Sequence, residues 1–258
     1  MSDHLQLRFL GVGNAAAHDL GNASAVLEDA QGGPLLLIDC GPTVLPAYQT
    51  RYGALPNAIF ITHTHLDHSG GLENLFYRLA CEHVDLPPTR LYLPTHIIPR
   101  LHQQLAEDAF KLAEGGINFW DRFQVVPVGD QFWHAGHAFR VFAVNHHGYR
   151  AAYGLSLPGR FVYTGDTRPI PEVLAHFAAQ GEVVFHDCAL RGNPSHTGAP
   201  DLVASYPPEL RARLVLYHYE SKAAAMQLRA LGYRVAEKGG CFELRREASG
   251  GDRLRRVV

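Results

Sequence analysis

The stretch Ile59-Phe60-Ile61-Thr62-His63-Thr64-His65-Leu66-Asp67-His68-Ser69-Gly70-Gly71-Leu72 carries an apolar strand into four potential metal ligands and then into the start of a helix. Alternate side chains on an extended backbone share a face, so His63 and His65 point the same way and can grip one ion. The turn that follows lets Asp67 and His68 face a second. A His-x-His-x-Asp-His pattern is expected by chance about 0.003 times in a chain of this length and composition. Four such groups at a strand end serving only as hydrogen-bonded structure would need more buried partners than a strand end offers.

The surrounding chain has 258 residues, of which 47% are hydrophobic and 19% charged. Those proportions describe a globular protein and exclude disorder or a collagen-like repeat. A net charge of −2 gives no general reason to bind duplex nucleic acid or an anionic membrane. No apolar run approaches the roughly 20 residues that cross a bilayer, and Met1-Ser2-Asp3-His4 lacks the basic and apolar regions of a secretory signal. A cytoplasmic protein is expected. Cys40, Cys81, Cys188 and Cys241 form no CxxC pair, so the expectation is reduced, mostly buried thiols. The sixteen histidines are the compositional feature that stands out.

Runs rich in β-branched and aromatic residues predict strands at Leu5–Leu10, Ala23–Glu28, Leu35–Asp39, Ala58–Ile61 and Arg90–Leu93. The second half repeats the pattern at Phe123–Val128, Phe139–Val144, Ala151–Leu157, Phe161–Tyr163, Val183–Phe185, Leu214–Tyr217 and Cys241–Leu244. Helical spacing appears at Leu72–Ala80, Ile97–Glu114, Ile170–Ala179, Pro208–Arg213 and Ser221–Leu231. Grouped strands with helices interspersed fit a layered α/β sandwich with two β-rich halves. No linker or repeat divides the chain, so residues 1–258 are expected to form one domain. The amphipathic segment Ile97–Arg122 is longer than a core connection requires and could lid the site, form a homodimer face, or simply pack on the core. Arg245–Arg256 reads as a solvated end.

The motif His63-Thr64-His65-Leu66-Asp67-His68 resembles the metal signature of the metallo-β-lactamase fold superfamily. Leu10-Gly11-Val12-Gly13-Asn14-Ala15-Ala16 and Leu36-Leu37-Ile38-Asp39-Cys40-Gly41-Pro42 resemble the opening strands of its ribonuclease Z-like and phosphodiesterase-like branch. Tyr163-Thr164-Gly165-Asp166-Thr167 is similar to the segment bearing that family's metal-bridging aspartate, and Leu214-Val215-Leu216-Tyr217-His218-Tyr219 to the strand ending in its last histidine. For the third histidine, His146 and His147 compete; His146 continues the phase of Phe142 and Val144 and is favoured. The resemblance implies a four-layer αββα sandwich of two mixed sheets. It also implies that His63, His65 and His146 hold one metal and Asp67, His68 and His218 the other, with Asp166 bridging.

Imidazole and carboxylate ligands without thiolate suit zinc first, with manganese or iron as alternatives. Two ions about 3.5 to 4 Å apart bring a shared water's pKa near neutral, making hydroxide the nucleophile, and neutralise charge on the reacting oxygen. Asp67 and His196 are the candidate catalytic residues. His196, in Pro194-Ser195-His196-Thr197-Gly198, resembles the position of a histidine near the leaving group in ribonuclease Z-like enzymes, though it could equally be a surface loop residue. Asp39 is expected behind the ligands or in a turn, His186 and Asp187 are expected to orient ligands, and Arg150 and Arg168 are candidate contacts for an anionic substrate.

His146 and Asp166 stand only 20 positions apart, which leaves no room for the tRNA-gripping arm that the resemblance places in ribonuclease Z. A Thr-x-Gly-His segment, carried by glyoxalase II-like and lactamase-like relatives, is also missing before the third ligand. The expected activity is therefore dinuclear metal-dependent hydrolysis of a small anionic phosphodiester, with no membrane or nucleic-acid partner. Lactone, carboxyl-ester or thioester hydrolysis is one alternative. A cofactor-biosynthesis role, similar to the pyrroloquinoline quinone synthesis B protein, or a non-catalytic binding role is another.

Overall fold

The computed structural model describes residues 4–105, 112 and 116–245. Its strands are β1 (Leu5–Gly11), β2 (Ser24–Glu28), β3 (Pro34–Ile38), β4 (Ala58–Phe60), β5 (Thr89–Pro94) and β6 (Phe123–Val128), followed by β7 (Gln131–His134), β8 (His137–Ala143), β9 (Tyr153–Leu157), β10 (Phe161–Tyr163), β11 (Val183–Asp187), β12 (Leu214–Tyr217), β13 (Arg234–Val235) and β14 (Cys241–Leu244). The helices are α1 (Val44–Tyr52), α2 (Leu66–Ser69), α3 (Gly71–Tyr77), α4 (Ile98–Leu105), α5 (Phe119–Arg122), α6 (Pro171–Phe177), α7 (Ala199–Ser205), α8 (Pro208–Arg211) and α9 (Lys222–Ala230).

The strands form two seven-stranded sheets, ordered β14-β1-β2-β3-β4-β5-β6 and β13-β12-β11-β10-β9-β8-β7. Each sheet is antiparallel at one end and parallel at the other: β3 to β6 run parallel in the first, and β10 to β13 in the second. Aromatic side chains join the two sheets. The Phe9 ring in β1 lies 5.5 Å from both Phe185 and Tyr217 and 6.3 Å from Tyr163, while Phe60 in β4 stacks on Phe132 in β7 at 5.8 Å. Burying each such side chain contributes about 2 to 3 kcal/mol. With helices outside both sheets, the layers are αββα. The parallel strands β3, β4, β10, β11 and β12 all end at one edge, the position where open α/β sheets present ligand-binding residues.

The predicted strands all form; Phe123–Val128, Phe161–Tyr163, Leu214–Tyr217 and Cys241–Leu244 keep their predicted ends, and the others shift by one or two residues. Among the described residues six of the named elements were not expected: α1, α2, α5, α7, β7 and β13. In α1, Pro46 occupies the third helical position, where the N–H it lacks would have had no partner. In α7, Pro200 sits in the first turn for the same reason. Strand β7 is short and closes on β8 through Ala135 and Gly136, whose φ angles of 49° and 79° suit a tight hairpin turn. Strand β13 has two residues.

Of the helix expected over Ile97–Glu114, residues 98–105 are helical and most of the remainder lies outside the described residues. The proposed lid or dimer segment at 97–122 shares that gap, and nearly all of the Arg245–Arg256 tail also lies outside. At its far end Asn118 caps α5, with its side chain accepting from the Trp120 N–H and its own N–H donating to Asp121. The expectation of mostly buried thiols needs correction. Cys40 and Cys188 are buried, whereas Cys81 and Cys241 are exposed on the surface of a π-turn and an edge strand. Among the described residues no helix is long and apolar enough to cross a membrane.

Candidate metal centre

The ligands lie within the few residues that follow the ends of β4, β8, β10 and β12. Beyond β4 the chain stays extended through His63, which bridges to Ala152, and then turns into α2, carrying Asp67 and His68. His146 follows β8, Asp166 follows β10, and His218 follows β12. Gly41, after β3, packs against the Asp67 carbonyl so closely that any Cβ there would collide with it. That contact lets the Asp39-Cys40-Gly41 turn lie directly under α2.

Among the described residues three groups share the Asp166 carboxylate: His63, His65 and His146 with it, Asp67, His68 and His218 with it, and Asp187, His196 and His218 with it, the donor atoms of each group lying within 4.8 Å of one another. Asp166 Oδ2 lies 3.2 Å from His68 Nε2, 3.3 Å from His218 Nε2 and 3.7 Å from His63 Nε2. His65 Nδ1 lies 3.1 Å from both His63 Nε2 and His146 Nε2. His147 stays at the rim, exposed, its ring stacked on His65 at 4.6 Å.

Hydrogen bonds on the far side of each ring set which nitrogen faces inward. Thr62 Oγ1 donates its proton to Asp39 Oδ2 and therefore accepts from His63 Nδ1 at 3.0 Å. His146 Nδ1 donates to the Ser195 carbonyl at 2.9 Å, and His68 Nδ1 to Asp39 Oδ2 at 2.8 Å. His218 Nδ1 lies 3.3 Å from Asp187 Oδ1. Consequently His63 and His146 both aim a lone pair at His65 Nδ1, which can satisfy at most one of them. His68 Nε2, His218 Nε2 and Asp166 Oδ1 are buried with no hydrogen-bond partner. Converging lone pairs and orphaned buried atoms of this kind fit divalent cations and fit little else.

The electrostatics agree. Burial, then the charge on His68, pushes His63 well below the ordinary imidazole pKa, and burial lowers His65 and His146. Burial alone would raise Asp166, but His218 and His68 outweigh it and hold the carboxyl well below its ordinary value. Burial opposes the charging of His218, yet Asp166 and Asp187 prevail and push its pKa up to about 10. The protons retained by His68 and His218 are those that a cation displaces on binding.

Asp187 is a hub. Its Oδ2 accepts from the Thr167 N–H at 2.9 Å and from His196 Nδ1 at 2.8 Å. His196 sits on a turn built by Asn193, whose side chain accepts from the N–H groups of Ser195 and His196, and its Nδ1 is 4.0 Å from Asp166 Oδ2. His186 needs correction as a ligand-orienting residue. Its Nδ1 donates to the Asp187 carbonyl and its Nε2 meets the Tyr206 hydroxyl, because its neighbour on the strand points the other way. Arg168 lies against the Asn145 carbonyl, and Arg150 against His96. Sequence reasoning missed Thr62 and the Ser195 carbonyl; a threonine beside a candidate ligand is a usable signal, whereas a backbone carbonyl carries none.

The fold and the paired ligand sets define a metal-dependent hydrolase of the metallo-β-lactamase fold. Among solved structures, the metallo-β-lactamase fold protein YhfI from Bacillus subtilis superposes with a TM-score of 0.72, at 16% identity over 93% of this chain and 100% of its own. A diphosphatase of the PhnP family superposes at 0.71, with 19% identity over 94% of this chain and 100% of its own. Residues 5–242 match the sequence profile of the Anti-Pycsar protein Apyc1 family, and the chain belongs to that family. The Anti-Pycsar protein Apyc1 of Paenibacillus harenae is 27% identical over 247 residues, covering 93% of this chain and 100% of the relative.

Proposed function

We propose that the protein is a cytoplasmic phosphodiesterase that opens a small cyclic nucleotide, with pyrimidine cyclic nucleotides first, using two divalent ions of which zinc fits the ligands best. The observation that carries this reading is the pair of ligand sets sharing Asp166. The anti-Pycsar designation of the relatives points to cyclic pyrimidine nucleotides. Two bound ions would supply a water of near-neutral pKa and neutralise charge on both reacting oxygens at phosphorus.

His63, His65 and His146 would hold one ion and Asp67, His68 and His218 the other, with Asp166 available to both. Asp39 and Asp187 keep His68 and His218 in position. His196, tethered by Nδ1 to Asp187, presents Nε2 as the proton donor to the oxygen that leaves phosphorus when the ring opens. The span from His146 to Asp166 is occupied by the β9–β10 hairpin, so no arm extends there to hold a polynucleotide.

Metal-replete protein should hydrolyse cyclic CMP or cyclic UMP to the nucleoside monophosphate, and should favour bis(nitrophenyl) phosphate over a lactone, a β-lactam or a glutathione thioester. Robust lactone or thioester turnover without phosphodiester turnover would overturn the assignment.

A further inference from the structure

The 147–150 loop joins β8 to β9 directly beside the ligands. Both of its ends are fixed in the cluster: His146 meets His65 on one side, and on the other Ala152 bridges His63 while the Tyr153 N–H donates to the Thr62 carbonyl at 3.0 Å. Between these anchors the chain exposes an aromatic ring and a guanidinium. Tyr149 is 89% exposed, and the Arg150 guanidinium lies 5.7 Å from its ring centroid.

Backbone conformation singles out the same place. Among the described residues four non-glycine residues have left-handed φ angles. Ala135 belongs to the β7–β8 hairpin turn, Asp39 and His218 belong to the metal centre, and the fourth is Arg150, at φ 50°. A long side chain is held there at an energetic cost that an ordinary loop would avoid by using glycine or asparagine.

Tyr153 supplies an independent sign. The side chain is buried, with 7% of the residue exposed, and its hydroxyl has no hydrogen-bond partner. Burial raises its pKa, and Arg150, Tyr149 and Arg100 are the ionisable groups acting on it. Arg100, from α4, lies against Gly148 at the base of the loop. A buried tyrosine hydroxyl ordinarily finds a partner. Here no protein group meets it, and the charges of Arg150 in the loop and Arg100 in α4 act on it.

We propose that Tyr149, Arg150 and Tyr153 form the subsite that takes the nucleobase of the substrate, a part of the molecule that the metal centre itself does not contact. The base stacks on the Tyr149 ring, and the Tyr153 hydroxyl and Arg150 guanidinium meet its polar edge. This inference rests on the cyclic-nucleotide reading above.

The test compares cyclic CMP with ribose 3′,5′-cyclic phosphate lacking a base, in wild type and in Tyr149→Ala, Tyr149→Phe, Arg150→Gln and Tyr153→Phe. The ratio of kcat/KM for cyclic CMP to that for the baseless compound should fall about ten-fold in Tyr149→Ala, within the range that base stacking on an aromatic ring contributes. It should also fall in Arg150→Gln and Tyr153→Phe, and should hold in Tyr149→Phe, which keeps the ring. Calorimetric affinity for CMP should weaken in the same variants with metal content unchanged. An unchanged ratio in Arg150→Gln or Tyr153→Phe removes that residue from the subsite; an unchanged ratio in Tyr149→Ala, or a loss in Tyr149→Phe equal to that in Tyr149→Ala, overturns the proposal. Wild-type turnover of neither compound would instead overturn the cyclic-nucleotide function and the subsite with it.

Discussion

His68 donates through Nδ1 to Asp39 Oδ2 at 2.8 Å, across 29 positions of sequence, and so turns its Nε2 toward Asp166. Asp39 also accepts from the Thr62 N–H and hydroxyl. The carboxylate thus sets the tautomer of one histidine and, through Thr62, the orientation of His63. Asp39→Asn would present an amide N–H to this network while tolerating the left-handed backbone at φ 62°. We expect metal affinity to fall about 10- to 100-fold with little change in fold. Metal titration alongside circular dichroism checks this, and unaltered affinity would show that Asp39 has no say in His68.

Elemental analysis of metal-replete protein should give two ions per chain. His63→Ala and Asp166→Ala should each lose metal and activity. His147→Ala should retain both, because that ring stands at the exposed rim with His146 already filling the inner position. Loss of metal from His147→Ala with retention in His146→Ala would reverse the assignment.

His196→Ala should lower turnover about 10²- to 10⁴-fold, the range of general-acid contributions, while leaving metal content intact. Its Nδ1 donates to Asp187, so the substitution leaves the seven proposed ligands in place. Departure of metal in this variant would mean that His196 is a ligand or a structural residue.

Gly41→Ala should destabilise the protein by about 3 kcal/mol through overpacking. The added methyl would collide with the Asp67 carbonyl, which is backbone and cannot swing aside. Denaturant unfolding should show a lower midpoint together with weaker metal retention. A variant as stable as the wild type would show that the β3–α1 turn moves freely against α2.

His134 ties the sheets together from β7, its Nε2 donating to the Leu35 carbonyl at 2.8 Å and its Nδ1 accepting from the Tyr92 hydroxyl at 2.9 Å. Burial lowers its pKa, so it is neutral in the fold and binds its proton more readily once unfolded. The unfolded chain therefore takes up protons first as pH drops below about 6.5. This part of the stability is fully present above that value and is lost as pH falls toward the lowered folded pKa. His134→Gln should flatten the Tm profile between pH 7 and 5 relative to wild type. Parallel profiles would exclude His134 from the acid response.

The sequence by itself determined what is local and periodic. His63, His65, Asp67 and His68 fall within six positions, so strand alternation and one turn suffice to place them on one side. The strands bearing Asp166 and His218 were legible as short apolar runs, because burial on both faces leaves a continuous hydrophobic stretch. What only the tertiary structure decided depends on contacts between distant segments. His146 enters the cluster in place of His147 because the Ser195 carbonyl, 49 positions away, accepts from its Nδ1. Asp187 joins His196 to His218, while the adjacent His186 turns away to Tyr206. The unpartnered Tyr153 hydroxyl, too, is recognisable only once β9 is paired, because a hydrogen bond left unmade in the interior is a property of the packed molecule and leaves no mark in composition or spacing.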